Sequence, residues 1–172
     1  MEGLVNTFIK IFAGLETLKY GKEIVVFIIS LMPILELRGG LLAASLMGVK
    51  PVPAYIVSII GNIIPVPFIL LFLNVILEWM KKCKVKWMNK LAKWLEKKAD
   101  KNKSQIEKYG YWGLLLFVGI PLPGTGAWTG CLVASVLHLD RKKAFIAAMG
   151  GILLASVIMM IISYGLLGAL ID

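Results

Sequence analysis

The chain is poor in the residues that carry most enzyme chemistry. It has one histidine, His138, and two cysteines, Cys83 and Cys131. Cys83 sits among lysines and Cys131 in an apolar stretch, so a disulfide framework is not expected, and C-x-x-C and histidine-rich metal spacings are absent. There is no Ser-His-Asp set, no phosphate-binding glycine loop and no pair of carboxylates placed for acid–base work. These absences argue against an enzyme, a resident metal and a cofactor. The N-terminus, Met1 to Asn6, lacks the basic region and small-residue cleavage site of a signal peptide. Entry into the membrane through the chain's own spans is the expectation.

Charge of one sign is also scarce: ten acidic residues stand against 19 basic, a net charge of +9. Eleven of the basic residues lie between Lys81 and Lys108, and Arg141, Lys142 and Lys143 form a second cluster. Both clusters flank apolar stretches. They read as topology signals and contacts to anionic lipid headgroups, with the basic linker the main membrane-lipid partner, and not as a nucleic-acid surface.

Apolar length is what the chain has in excess. It is 59% hydrophobic with a mean hydropathy of +0.83, against about 45–50% apolar in soluble domains. Its 172 residues read as one all-α integral membrane domain, 1–172. Residues 4–18 place Leu4, Phe8, Ile11, Phe12, Leu15 and Leu18 at helical spacing. That length rises only ~22 Å, short of a ~30 Å hydrocarbon core, so the expectation is an amphipathic helix in the interface. A short helix packed on the bundle is the other reading. Ile24 to Met32 is an apolar run that covers about half the core before Pro33 stops it. The chain restarts from Pro33 and runs to Gly48, and Lys50-Pro51-Val52-Pro53 is a loop. Ala54 to Leu77 is long enough to span, with a kink at Pro65 and Pro67. From Glu78 to Lys103, lysines alternate with Trp79, Trp87, Leu91 and Trp94, the pattern of a basic interfacial helix. Ser104-Gln105-Ile106-Glu107 has the form of a capping box.

The first half then recurs. Lys108-Tyr109-Gly110 repeats Lys19-Tyr20-Gly21 at an offset of 89. After one slip the offset is 90: Pro33 matches Pro123, Gly40 matches Gly130, Ala44-Ser45 matches Ala134-Ser135, and Gly61 matches Gly151. Repeat 1 covers 15–78, the linker 79–103, and repeat 2 104–171. Each repeat is a helix broken by proline, at Pro33 and at Pro121 and Pro123, followed by a transmembrane helix. If each broken helix re-enters on its own side, the repeats have inverted topology. Both basic clusters, 79–108 and 139–143, then face the cytoplasm, as the positive-inside rule prefers. Broken helices in lipid must lie in protein or line a wet cavity. Two inverted repeats with breaks near the midplane are a recurring plan of secondary transporters, with the substrate site between the breaks.

The first break carries Glu36-Leu37-Arg38-Gly39-Gly40, two charges inside an apolar segment. Glu36 is the candidate proton-coupling group, and Arg38 the candidate ligand for a phosphate or carboxylate. The alternative is a structural Glu36–Arg38 pair. Two residues apart on a helix, their side chains point nearly opposite ways, so sharing one cavity requires unwinding, which Gly39-Gly40 would permit. The second break carries Gly124, Thr125, Gly126, Trp128 and Thr129. Its backbone N–H groups and hydroxyls could receive an anionic group, while Gly126, Gly130 and Ala134 could equally be a close-packing face. Asn62 and Asn74 could face the bundle interior or bond between helices, and His138 reads as an interfacial side chain.

These two motifs, Glu36-Leu-Arg-Gly-Gly and Pro121-Leu-Pro-Gly-Thr-Gly-Ala-Trp-Thr-Gly130, resemble those of the small multidrug export protein family, which is similar to the DedA membrane proteins. The resemblance covers residues 15 to 170. It implies efflux of small molecules on one side. On the DedA side it implies proton-coupled movement of a lipid carrier, such as polyprenyl phosphate or a phospholipid, through inverted re-entrant helices. Glu36 and Arg38 would correspond to the acidic residue and arginine of the first break. The second break lacks the arginines usual in DedA proteins. The function expected is thus a multi-pass cell-membrane secondary transporter for an amphipathic anion. A small multidrug/proton antiporter and a non-transporting membrane scaffold are the alternatives. A second copy of the chain is a candidate partner.

Overall fold

The computed structural model describes residues 2–12, 14, 20–82, 90, 93, 97, 109–122 and 124–166. Most of the basic linker, the capping box at Ser104, Pro123 and the Asn74 side chain lie outside the described residues. All regular structure among the described residues is helical. The chain divides into two compact units, Met1–Pro65 with Ile152–Asp172, and Val66–Gly151.

The first unit is built on a helix hairpin. Helix α2 (Gly21–Leu31) stops at Met32, whose backbone turns extended (ψ 139°) ahead of Pro33. Helix α3 (Glu36–Leu46) then returns. The Lys22 ammonium, in the first turn of α2, donates to the Met47 carbonyl at the end of α3 (2.6 Å), so both arms finish at the same end. Helix α1 (Glu2–Ile11) packs against this hairpin. Val5 is fully buried with Val25, Ile29, Leu35, Leu42 and Ala43. The second of the two readings of this segment, a short helix packed on the bundle, is what its described part shows.

α3 ends in a Schellman motif. Gly48 takes φ +67°, Val49 N–H donates to Ala44 O (2.9 Å) and Gly48 N–H to Ser45 O (3.1 Å). Helix α4 (Pro51–Ile63) follows, with proline at its first position, where no backbone donor is lost. Helix α5 (Pro65–Lys82) continues from it after a turn at Ile64. The interruption falls where Pro65 denies an N–H to the helical ladder. The last part of the chain in this unit is held by hydrogen bonds. Ser156 donates to the Tyr55 hydroxyl (3.1 Å), Ser45 to Ser163 O (2.6 Å) and Tyr164 to Val49 O (2.9 Å).

The second unit contains α5 from Val66 on, helix α6 (Tyr109–Gly119), helix α7 (Ala127–Val136) and the start of helix α8 (Arg141–Met160). α6 and α7 form a second hairpin. Asp140 N–H donates to the Tyr111 hydroxyl (3.3 Å), tying the exit of α7 to the first turns of α6. α7 closes in the same motif as α3: Leu139 N–H to Ala134 O (3.0 Å), His138 N–H to Ser135 O (3.1 Å), His138 at φ +53°. Asp140 caps α8 by accepting from Lys143 N–H (2.9 Å). A π-helical turn, Ile161–Leu166, extends α8.

Two helical stretches are long and apolar enough to cross a membrane, Pro51–Phe72 and Arg141–Gly165. At ~1.5 Å per residue they rise ~33 and ~37 Å, more than a ~30 Å core. With its all-helical structure, the chain has the make-up of an α-helical membrane protein.

Candidate functional site

The most unusual backbone in the first unit is at Glu36. It opens α3 with φ +52°, a left-handed conformation that costs a side-chain-bearing residue about 1–2 kcal/mol. Its N–H still donates to Met32 O (2.9 Å), so the turn that joins the two arms of the hairpin is closed on this residue. Such local strain tends to collect where function requires a side chain to be aimed. Glu36 is 4% exposed and Arg38 5%, and the two interact electrostatically. Two opposite charges are therefore held in an apolar unit by the first turn of one short helix.

The unwinding that brings them together is not where the glycines suggested it. Gly39 and Gly40 are both helical. The departure from helix is one turn earlier, at Glu36 itself. Gly40 is used for close approach. A Cβ there would collide with the Ser30 hydroxyl of α2 and lie 3.1 Å from the Ser58 hydroxyl of α4. Gly61 of α4 does the same against α2, where a Cβ would meet Phe27 O at 2.8 Å and Ser30 Cβ at 2.9 Å. Three helices thus approach closely here, with the small side chains of Ser30 and Ser58 filling the space at Gly40.

That close approach encloses polar groups. Ser30, Ser58 and Asn62 are all essentially inaccessible. Ser30 donates to Val26 O (2.8 Å), its own helix. The Ser58 hydroxyl and both amide atoms of Asn62 have no hydrogen-bond partner. A buried polar group without a partner costs about 1–3 kcal/mol. Ser58 and Asn62 are four residues apart, one turn on the same face of α4. Ser58 lies opposite Gly40. α3 and α4 are joined by a short turn and pack against one another. Unused donors and acceptors thus lie on the buried face of α4, with Ser58 at Gly40 of α3, the helix that Glu36 opens.

Sequence reasoning picked out Glu36 and Arg38, treated Asn62 as minor and missed Ser58 and Ser30. A signal existed. At the offset of 90, Ser58 aligns with Ala148 and Asn62 with Ile152, both fully buried and apolar. Only the first half is polar on this face.

In the second unit the break is built differently. Gly124 (φ +89°) and Gly126 (φ +137°) take conformations that favour glycine. The Thr125 hydroxyl donates to Ile120 O and Leu122 O (both 2.9 Å), closing the unwound end of α6. Gly126 O accepts the first bond of α7, from Gly130 N–H (2.8 Å). A Cβ on Gly130 would meet Val118 Cγ2 at 2.7 Å, so this glycine serves the packing of α7 on α6. Thr129 is buried, Trp128 half-buried and Pro121 half-buried. Glu36, Arg38, Gly39, Gly40 and Pro33 therefore belong to one unit, and Pro121, Gly124, Thr125, Gly126, Trp128 and Thr129 to the other. No cluster of three or more His, Cys, Asp or Glu side chains suited to a metal occurs among the described residues.

A family model described as "Putative small multi-drug export protein" matches residues 36–158, from Glu36 through the second break and into α8, more than two thirds of the chain. No curated protein and no solved structure matches.

Proposed function

The chain belongs to this small multi-drug export family, and from that premise we propose that it is a secondary transporter in which the buried Glu36–Arg38 pair exchanges cargo and proton. The carrying observation is the Glu36–Arg38 pair, buried on the strained first turn of a helix whose Gly40 faces the unpartnered Ser58 of α4. A pair needed only for stability requires no strained backbone and no unused polar wall. A site that must bind and release has reason to keep both. Glu36 would carry the proton. Arg38, whose planar guanidinium suits phosphate and carboxylate, would take the anionic head of an amphipathic cargo. A lipid-linked phosphate or a phospholipid has that chemistry. Ser58 and Asn62 would supply the hydrogen bonds that dry burial leaves open.

The architecture is read as two inverted repeats with re-entrant hairpins. Support comes from the matched Schellman turns at Gly48 and His138, 90 residues apart, and from the arms of each hairpin returning to one end. The positive-inside rule supports a cytoplasmic position for 79–108 and 139–143. Export is adopted from the family's description.

A second reading, a drug/proton antiporter for amphipathic cations, is favoured by that same description. Proteoliposomes under an imposed pH gradient separate the two. Movement of a fluorescent phosphatidic acid, read by dithionite accessibility, is compared with ethidium accumulation. The anion reading expects lipid movement that is lost in both Glu36→Gln and Arg38→Gln. The cation reading expects ethidium transport lost in Glu36→Gln and kept in Arg38→Gln. Wild-type vesicles that move neither probe, or a folded Glu36→Gln that transports at the wild-type rate, refute the role given to Glu36. A scaffold protein predicts the first of those outcomes.

A further inference from the structure

At the charged end of the second unit two cavities adjoin, and they differ in chemistry. One, of about 170 Å³, is lined by Ser135, His138, Leu139, Arg141 and Leu70. The other, of about 420 Å³, runs between α5 and α8 along Pro67, Leu70, Leu71, Phe145 and Ile146, with Arg141 and Lys142 at its edge. Leu70 and Arg141 line both. A polar chamber that shares an arginine with an apolar groove has the form of an amphiphile. We propose that the pair of cavities is a binding site for one anionic phospholipid of the bilayer. Its phosphate would lie by Arg141 and His138, and an acyl chain would fill the groove.

The charges favour an anion. Arg141 and Lys142 are exposed, and Lys143 lies over the Tyr111 ring, 5.8 Å from its centroid. The neighbouring acid, Asp140, is engaged in capping α8. The groove favours a lipid chain over a soluble ligand. It is open along both candidate spans, and its walls Leu71 and Ile146 are 46% and 69% exposed. Arg141 and Lys142, the charged start of the second span, edge the same groove as Leu70 and Leu71, and charges at the end of a span sit at the depth of a headgroup. His138 adds an independent indication. It holds the left-handed position of its turn at φ +53°, where the matching turn of the first half uses Gly48. An imidazole kept in a place that suits glycine faces the polar chamber beside Arg141. Every residue that lines this site belongs to the second unit, and its test does not depend on transport.

The test uses delipidated full-length protein in mild detergent, titrated with dioleoyl-phosphatidylglycerol or dioleoyl-phosphatidylcholine. Thermal midpoint and native mass spectrometry report binding. The expectation is a saturable rise and a retained one-lipid adduct with phosphatidylglycerol only. Arg141→Gln with Lys142→Gln should weaken it at least about tenfold, about 1.4 kcal/mol. Ile146→Trp, which fills the groove and keeps every charge, should weaken it as well. Neutralising the exposed linker lysines Lys90, Lys93 and Lys97 should leave it in place. An equal response to phosphatidylcholine overturns the proposal. So does binding lost only in the linker variant, or loss in the charge variant with none in Ile146→Trp.

Discussion

Replacing Glu36 by glycine and by alanine tests the central geometric observation. Both variants remove the carboxylate and leave Arg38 buried without its partner, a loss of about 3–5 kcal/mol that the two share and that cancels between them. Their difference isolates the backbone. At an ordinary helical position alanine is more stable than glycine by about 0.8–1.0 kcal/mol. At φ +52° the order should invert, because a Cβ in the left-handed region costs about 1–2 kcal/mol and glycine avoids it. The glycine penalty offsets part of that cost, so the glycine variant should unfold at the higher temperature by up to about 5 °C, at about 2–4 °C per kcal/mol for a chain of this size. The assay is heating of the detergent-purified variants followed by size-exclusion detection of remaining monodisperse protein. Gln at this position, which keeps both the size and the strain, serves as the third point and should fall with alanine. An alanine variant as stable as the glycine variant, or more so, would mean that Glu36 is not strained. Backbone strain would then not distinguish this position.

Four further outcomes follow from the packing and the backbone. Gly40→Ala should destabilise by about 1–3 kcal/mol and be largely rescued by Ser30→Ala, since the clash is with a hydroxyl. Gly61→Ala and Gly151→Ala, which meet the Phe27 and Leu115 carbonyls at 2.8 and 2.7 Å, should be equally harmful with no such rescue; thermal midpoints of the double variants decide. Asn62→Leu removes a buried amide without partners and should raise the midpoint, by up to about 3 kcal/mol in stability, while abolishing transport; a lower midpoint would show that the amide is satisfied in the protein. His138→Gly should raise the midpoint of lipid-free protein and Gly48→His should lower it, each by about 1 kcal/mol, with the same heating assay as readout.

What the sequence determined by itself was local and compositional. Long apolar runs dictate helices that must be kept from water, Pro33 and Pro65 dictate where helices stop, and Lys/Arg bias marks the flanks. Glu36 and Arg38 were visible because two charges stand out in an apolar segment whatever the fold. The offset of 90 was also legible, because close packing needs small residues at fixed places: Gly40 with Gly130, Gly61 with Gly151. Tertiary structure decided the rest. No propensity scale predicts that Glu36 is left-handed while Gly39 and Gly40 stay helical. That choice follows from α2 and α4 both pressing on Gly40, which leaves the turn above it to absorb the change of direction. Ser58 and Asn62 became candidates only because their helix turns that face inward, where water cannot reach them. A serine in an apolar helix is unremarkable in sequence. Its importance depends on whether a partner is there when it is buried, and that is set by distances between segments far apart in the chain.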